Sequence, residues 1–179
     1  MQFDIETERL HIREWHPDEW AALLPIASDE SVMRYIADGA PWSEDRVRAV
    51  ISRQIENARL YGFCLGALIY KQTDEVIGLA GLQRLGDTGE IEVGWWIARG
   101  YWGKGIATEV GGALLRFAFE QARLKRVVAI AHVDNRASIA VMKKIGMEFE
   151  RRMRRGDIGF SHPALEIVMY SISNNSVCE

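Results

Sequence analysis

The order of elements along this chain predicts an α+β domain: a mixed, mostly antiparallel twisted sheet of about seven strands, with helices on both faces. Three observations carry that expectation. Two apolar runs, 62–70 and 75–85, flank the polar turn "KQTDE", and a third, 90–98, follows the turn "GDTG". Strands joined by such short polar turns form an antiparallel meander. The next strand, 126–133, comes only after a helical segment, and a central β-α-β crossover forces at least one parallel pair. Finally, 179 residues, 48% of them hydrophobic, can bury one core. No linker or repeat divides them, so residues 1–179 read as one domain.

Each element has its own signal. "RLHIREW" alternates Leu10 and Ile12 with Arg9, His11 and Arg13, the pattern of a half-buried strand. "HPDEWAALLPIASDESVMRYIADG" reads as one or two short helices, begun near Pro17 and stopped at Gly39. Ser43 caps a helix whose Val47, Ile51, Ile55 and Ala58 share one face. After the meander, a helix begins near Ile106 and aligns Val110, Leu114, Phe117 and Ala118. "RVVAIAHV" is a buried strand. Asn135 caps a short helix that ends at Gly146. "MEFERRMRR" and "ALEIVMYSI" are the last two strands, and their exposed edges would admit a homodimer.

Composition removes several classes of function. The chain has 22 Lys+Arg against 25 Asp+Glu, a net charge of −3, which argues against a general nucleic-acid binder. "RRMRR", 151–155, reads as a solvated strand edge, with an acidic partner as the alternative. Cys64 lies in an apolar run and reads as a buried thiol; with Cys178 it forms no disulfide framework. No signal peptide and no apolar run of ~20 residues is present, so a cytoplasmic protein without membrane contact is expected. His11, His16 and His162 show no metal-ligand spacing, and no metal is expected.

The stretch "RGYWGKGIATEVGG", 99–112, carries the chemistry. If the helix starts near Ile106, the N–H groups of Gly103 to Ala107 have no intrahelical partner, and the helix dipole adds positive charge. Glycines there let backbone approach an anion closely, and phosphate is the usual guest. No Walker string GxxxxGK[ST] occurs. The Rossmann GxGxxG is closer: Gly103 and Gly105 fit, the third glycine is missing, and Asp134 ends the following strand. Against it, a whole antiparallel meander precedes the motif, and the chain after Asp134 is too short for a second mononucleotide half. Glycine spacing alone leaves Rossmann and acyltransferase readings open.

Three motifs together resemble one family. Trp102-Gly103-Lys104-Gly105-Ile106-Ala107 resembles the pyrophosphate loop of the GNAT acyltransferases, Q/R-x-x-G-x-G/A, with Trp102 departing at the first position. "DNRASIAVMKKIGM" is similar to N-x-x-S-x-x-V-x-x-K-x-G-[FM] of the ribosomal-protein N-acetyltransferase (RimJ/RimL-like) branch, filled by Asn135, Ser138, Val141, Lys144, Gly146 and Met147. "EIEVGWWIA" resembles that branch's strand before the loop. The resemblance covers nearly the whole chain and implies a GNAT fold.

It also implies a reaction: acetyl transfer from acetyl-CoA to a primary amine, by direct attack in a ternary complex. The pyrophosphate would lie on the amides of Gly103 to Ala107, with Trp102, Lys104, Ile106, Thr108, Asn135 and Lys144 among the residues around the cofactor. The pantetheine arm would follow Trp95, Trp96 and Ile97, where the fourth and fifth strands splay and Gly94 suits a bulge. Glu92 is the implied base and shares a strand face with Glu90; His132 is the alternative. A backbone N–H within 93–96 would hold the oxyanion. Many members use a Tyr as acid where this chain has Met142; Ser138 is the implied acid instead. Tyr35 and Trp42 fall in the segment that shapes the acceptor site, with Glu90 a further candidate contact. One of Trp95 and Trp96 would be core and the other a wall of that site. The favoured acceptor is a protein N-terminal amine. An aminosugar, antibiotic, polyamine or amino acid, or a CoA-binding sensor module without catalysis, are the alternatives.

Overall fold

The computed structural model describes residues 3–159, 162 and 164–174; Cys178 lies outside them. Among these residues, eight strands form one sheet: β1 (Asp4–Glu6), β2 (Leu10–Arg13), β3 (Leu65–Tyr70), β4 (Glu75–Arg84), β5 (Ile91–Ile97), β6 (Arg126–His132), β7 (Glu148–Arg154) and β8 (Glu166–Ser173). Their spatial order is β1-β2-β3-β4-β5-β6-β8-β7. Every neighbouring pair is antiparallel except β5 and β6. The sheet thus has one strand more than expected. β1 is only three residues long, too short for its alternation to stand out, and it exists because a turn at Thr7–Leu10 folds it onto β2.

Among the described residues, five α-helices flank the sheet: α1 (Trp20–Ala27), α2 (Glu30–Met33), α3 (Glu44–Tyr61), α4 (Ile106–Arg116) and α5 (Arg136–Lys144). Ser43 caps α3 by accepting the Arg46 N–H at 3.3 Å, and Gly62 ends it in the left-handed region. The helix α4 runs on into a wider turn, Phe117–Gln121, where the Ala122 N–H reaches back to the Phe117 carbonyl. α1–α3 cover one face of the sheet, burying Leu23, Val47 and Ile51 against Leu65, Ala67 and Leu79. α4 and α5 cover the other, with Val110, Leu114 and Met142 against Leu68, Val93 and Val127. Burial of this apolar surface on both faces, at roughly 25 cal/mol per Å², is the main force holding the layers together.

Two features of the sheet position the site. β4 and β5 keep one continuous register from Gly78↔Ile97 to Arg84↔Ile91. The bulge expected at Gly94 is therefore not in this ladder; Gly94 stands squarely opposite Gly81, and the register shift of the meander lies between Leu68 and Ile69 on β3. The parallel pair β5–β6, in contrast, has a single register pair, Glu92↔Val128. Beyond it the two strands share no register pair, while each keeps an unbroken ladder with its other neighbour, so the opening involves no bulge between β4 and β5.

Candidate active site

The fork between β5 and β6 opens into a cavity of about 820 Å³. Residues Val93 to Trp96 line one side and Ile130 to His132 the other, so the cavity occupies the gap in the sheet. It reaches both faces. Asn135, Ser138 and Met142 of α5 line it from one, and Tyr35 and Trp42, between α2 and α3, from the other. Alternate backbone groups of β5 beyond Glu92 point away from β4 into this gap, without a strand to receive them.

Glu92 sits at the apex of the fork. It is 7% exposed, and the Gln83 amide donates to its Oε2 at 2.8 Å. Burial pushes its pKa up from 4.5 to about 7, against the pull of Gln83, the Arg155 guanidinium and the Ile130 backbone N–H. A carboxyl in that range is half ionised near neutrality and can both take and release a proton. Arg155, 62 positions beyond Val93 in sequence but at the same cavity, donates to the Ala37 carbonyl and so ties the C-terminal turn to the loop after α2. Burial lowers its pKa, while Glu92 and Asp38 pull it back up.

His132 also lines the cavity, with its ring 5.3 Å from that of Tyr35. Its Nδ1 accepts the Asp134 N–H at 3.1 Å. An amide can only donate, so in the neutral ring Nδ1 is the acceptor and its lone pair is hydrogen-bonded to that amide.

On α5, the Asn135 Oδ1 accepts the Ser138 N–H at 3.2 Å, which caps the helix and turns Ser138 toward the cavity. The Ser138 hydroxyl has no side-chain hydrogen bond among the described residues. Trp95 packs with the α4–α5 core, and Trp96 packs edge-on against Trp42 with ring centroids 4.8 Å apart. Both indoles line the cavity, one from each side of the sheet. Ile97 is buried in the core.

The glycine loop lies at the surface beyond one end of the fork. Gly103 and Gly105 adopt φ +72° and +77°, and a Cβ at Gly103 would meet nothing within 4 Å. Both glycines thus answer to backbone conformation; the space in front of Gly103 is open, and Arg9 Nη2 lies at an ordinary contact distance from Gly105. The first intrahelical bond of α4 runs from Glu109 N–H to the Gly105 carbonyl, so the amides ahead of it are free of helical partners. Lys104 is exposed, Ile106 is buried beneath the helix, and Ala107 and Thr108 are half-buried. Open amides at a helix N-terminus fit a diphosphate.

Trp102, at the family's Gln/Arg position, folds its indole N–H onto the Ile97 carbonyl at 2.7 Å. One β5 carbonyl is therefore already engaged. Ile97 and the loop residues Trp102 to Thr108 do not line the cavity, and neither do Lys144, exposed on α5, and Glu90, held by Arg126 at 3.2 Å.

Arg9 escaped the sequence reading. Its guanidinium donates to the Lys104 carbonyl at 2.9 Å and clasps Glu109 at 2.6 Å. Thr7 donates to the same carboxylate at 2.6 Å. The corner between β1 and β2 thereby fixes the loop and the first turn of α4. Nothing in local spacing links residues about a hundred positions apart.

Among the described residues, no group of three or more His, Cys, Asp or Glu is placed to hold a metal, and no helix is long and apolar enough to cross a membrane.

Known proteins share this arrangement. Residues 9–148 match the acetyltransferase (GNAT) domain. The N-acetyltransferase YnaD of Bacillus subtilis, itself uncharacterized, is 34% identical over 146 residues, covering 82% of this chain and 83% of YnaD. A GNAT-family acetyltransferase structure from Bacillus anthracis superposes with TM-score 0.80 at 26% identity, covering 96% of this chain and 98% of that one. RimL, a ribosomal L7/L12 α-N-protein acetyltransferase solved with coenzyme A, superposes with TM-score 0.79 over 97% of this chain and 99% of its own; at 18% identity that likeness speaks to fold alone. A sheet that forks at a buried glutamate, a glycine-led helix beside the fork and a domain match over most of the chain converge: the protein is an acetyltransferase of the GNAT family.

Proposed function

We propose that this protein, as a single domain over residues 1–179 in the cytoplasm, transfers an acetyl group from acetyl-CoA to a primary amine, with Glu92 as base and Ser138 as acid. The observation that carries the reading is the placement of Glu92: a buried carboxyl with a pKa of about 7 at the apex of the fork, in one cavity with an unengaged Ser138 hydroxyl. Acetyl-CoA supplies the activated thioester. The loop amides of 103–107 would hold its diphosphate, with Arg9 keeping that loop in place, and the β5 edge beyond Glu92 would hold the pantetheine arm.

The proton balance is then simple. The acceptor nitrogen forms a bond to the acetyl carbon and the carbon–sulfur bond breaks. Glu92 takes the proton the amine loses, Ser138 gives its hydroxyl proton to the departing thiolate, and the proton held by Glu92 then returns to the Ser138 oxygen through solvent in the cavity, so both groups are restored. A β5 backbone N–H facing the gap would receive the charge that builds on the acetyl oxygen. The amine enters from the α1–α3 side, past Tyr35 and Trp42.

Release of free CoA thiol from acetyl-CoA, followed with a panel of peptides, amino acids, aminosugars and polyamines, tests the reading. Amine-dependent release supports acetyl transfer. Tight CoA binding with no release beyond hydrolysis would favour a CoA-binding sensor module.

A further inference from the structure

The acceptor half of the cavity has a charge pattern that the chain as a whole does not. The protein carries a net −3, yet five arginines line this cavity: Arg34, Arg46, Arg53, Arg84 and Arg155. Three carboxylates face them: Asp38, Asp87 and Glu92. Arg46 is matched by Asp38 at 2.9 Å, and Arg155 lies near both Glu92 and Asp38. Arg34, Arg53 and Arg84 have no carboxylate partner among the described residues. Arg34 rests over Tyr35 and Arg84 over Tyr61, contacts that leave their charge available.

A concave site rimmed by like charge concentrates the field and draws in the opposite charge. A second observation points the same way. Trp42 is 6% exposed and lines this cavity, and its indole N–H has no acceptor among the described residues. A buried donor without a partner is costly, and a ligand oxygen can satisfy it.

Building on the acetyltransferase reading, we infer that the acceptor is an amine that also bears a carboxylate, placed so that its nitrogen meets Glu92 while its anionic group meets the arginine-lined wall. Arg155 is the half-buried member of that wall and lies beside Glu92, so amine and carboxylate would be close neighbours in the molecule. Tyr35, Trp42 and Trp96 give the same half an aromatic lining. A free amino acid and a peptide with an acidic N-terminal segment share this chemistry.

Matched acceptors test it. CoA thiol release would be measured with phenylalanine against phenylalaninamide, and with Ser-Glu-Glu-Ala-amide against Ser-Gln-Gln-Ala-amide, at low and at 0.5 M salt. The expected result is a kcat/KM at least about 10-fold higher for the carboxylate member of at least one pair, shrinking at high salt. The first pair responds if the source is a free amino acid, the second if it is an acidic peptide. The triple variant Arg34→Gln, Arg53→Gln, Arg84→Gln should lower that ratio several-fold while the KM for acetyl-CoA stays as in the parent.

Equal or better turnover of the amide and glutamine members in both pairs overturns the inference alone. Absence of thiol release with every member, while calorimetry shows CoA bound, overturns it together with the acetyltransferase reading.

Discussion

Glu92 on β5 stands opposite Val128 on β6, and no other residues of the two parallel strands share a register. The glutamate therefore occupies the last paired position before the sheet opens. Its carboxyl pays for that position in solvation, which is why its pKa lies at about 7.

The burial of Glu92 predicts a trade between stability and activity. Between its ordinary value of 4.5 and about 7, the folded protein keeps a proton at Glu92 that the unfolded chain releases. A raised carboxyl pKa is the reverse of the usual case: stability falls as pH rises through that window, by about 3 kcal/mol at pH 8. Glu92→Gln removes the ionisable group and keeps a partner for Gln83. Urea unfolding of the variant should show a gain of that order at pH 8 and a much smaller one at pH 5. CoA release should fall by ~100-fold or more. A variant no more stable at pH 8 than the parent would contradict the burial argument.

Ser138→Ala removes the hydroxyl and leaves the Asn135 cap, which uses the backbone N–H. The expected loss is in kcat, on the order of 10-fold or more, with a smaller change in KM. Steady-state kinetics giving the parent's kcat would leave Ser138 a helix residue only.

Gly105→Asp places a carboxylate where the amides would face phosphate, and should abolish acetyl-CoA binding in calorimetry. Gly105→Ala is the milder companion. A left-handed φ costs a non-glycine residue roughly 1–2 kcal/mol, while the nearest atom to the new Cβ, Arg9 Nη2, is at an ordinary 3.7 Å. That variant should fold and bind more weakly. Unchanged affinity of Gly105→Asp would sink the loop assignment.

Arg9→Ala frees the Lys104 carbonyl and leaves the Glu109 carboxylate only the Thr7 hydroxyl and the backbone N–H of residue 9. The KM for acetyl-CoA should rise several-fold with kcat less affected, because Arg9 acts through the loop. Arg9→Lys restores charge but not the forked geometry, and should rescue only in part. Equal KM values in all three proteins would show that the loop holds its shape unaided.

The reach of the sequence differed from element to element for physical reasons. The α3 helix and its Ser43 cap, the meander, and the α5 helix with Asn135 at its start are set by local periodicity and capping, and all were legible. So were Gly103 and Gly105, because a positive φ demands glycine wherever it occurs. The β1 strand was missed because three residues show no period. The bulge expected at Gly94 was wrong because the opening of the sheet is decided by how far β6 runs with β5, a tertiary property. The partners that define Glu92 and the loop (Gln83 across the hairpin, Arg155 from the C-terminal turn, Arg9 from the first strands) are long-range, and no spacing rule reaches them. The contact that engages His132, Asp134 N–H to Nδ1, depends on how the turn after β6 folds, which no spacing rule reaches either.

The pH dependence of kcat/KM tests the central claim most directly. CoA release, measured from pH 5 to 9 with the best acceptor of the amine panel, should rise with pH along a limb whose midpoint lies at about 7, as Glu92 gives up its proton. That limb should vanish from the residual activity of Glu92→Gln. A limb that persists unchanged in the variant, or an activity that is flat through pH 7 in the parent, would contradict a role for Glu92 as the base at the fork.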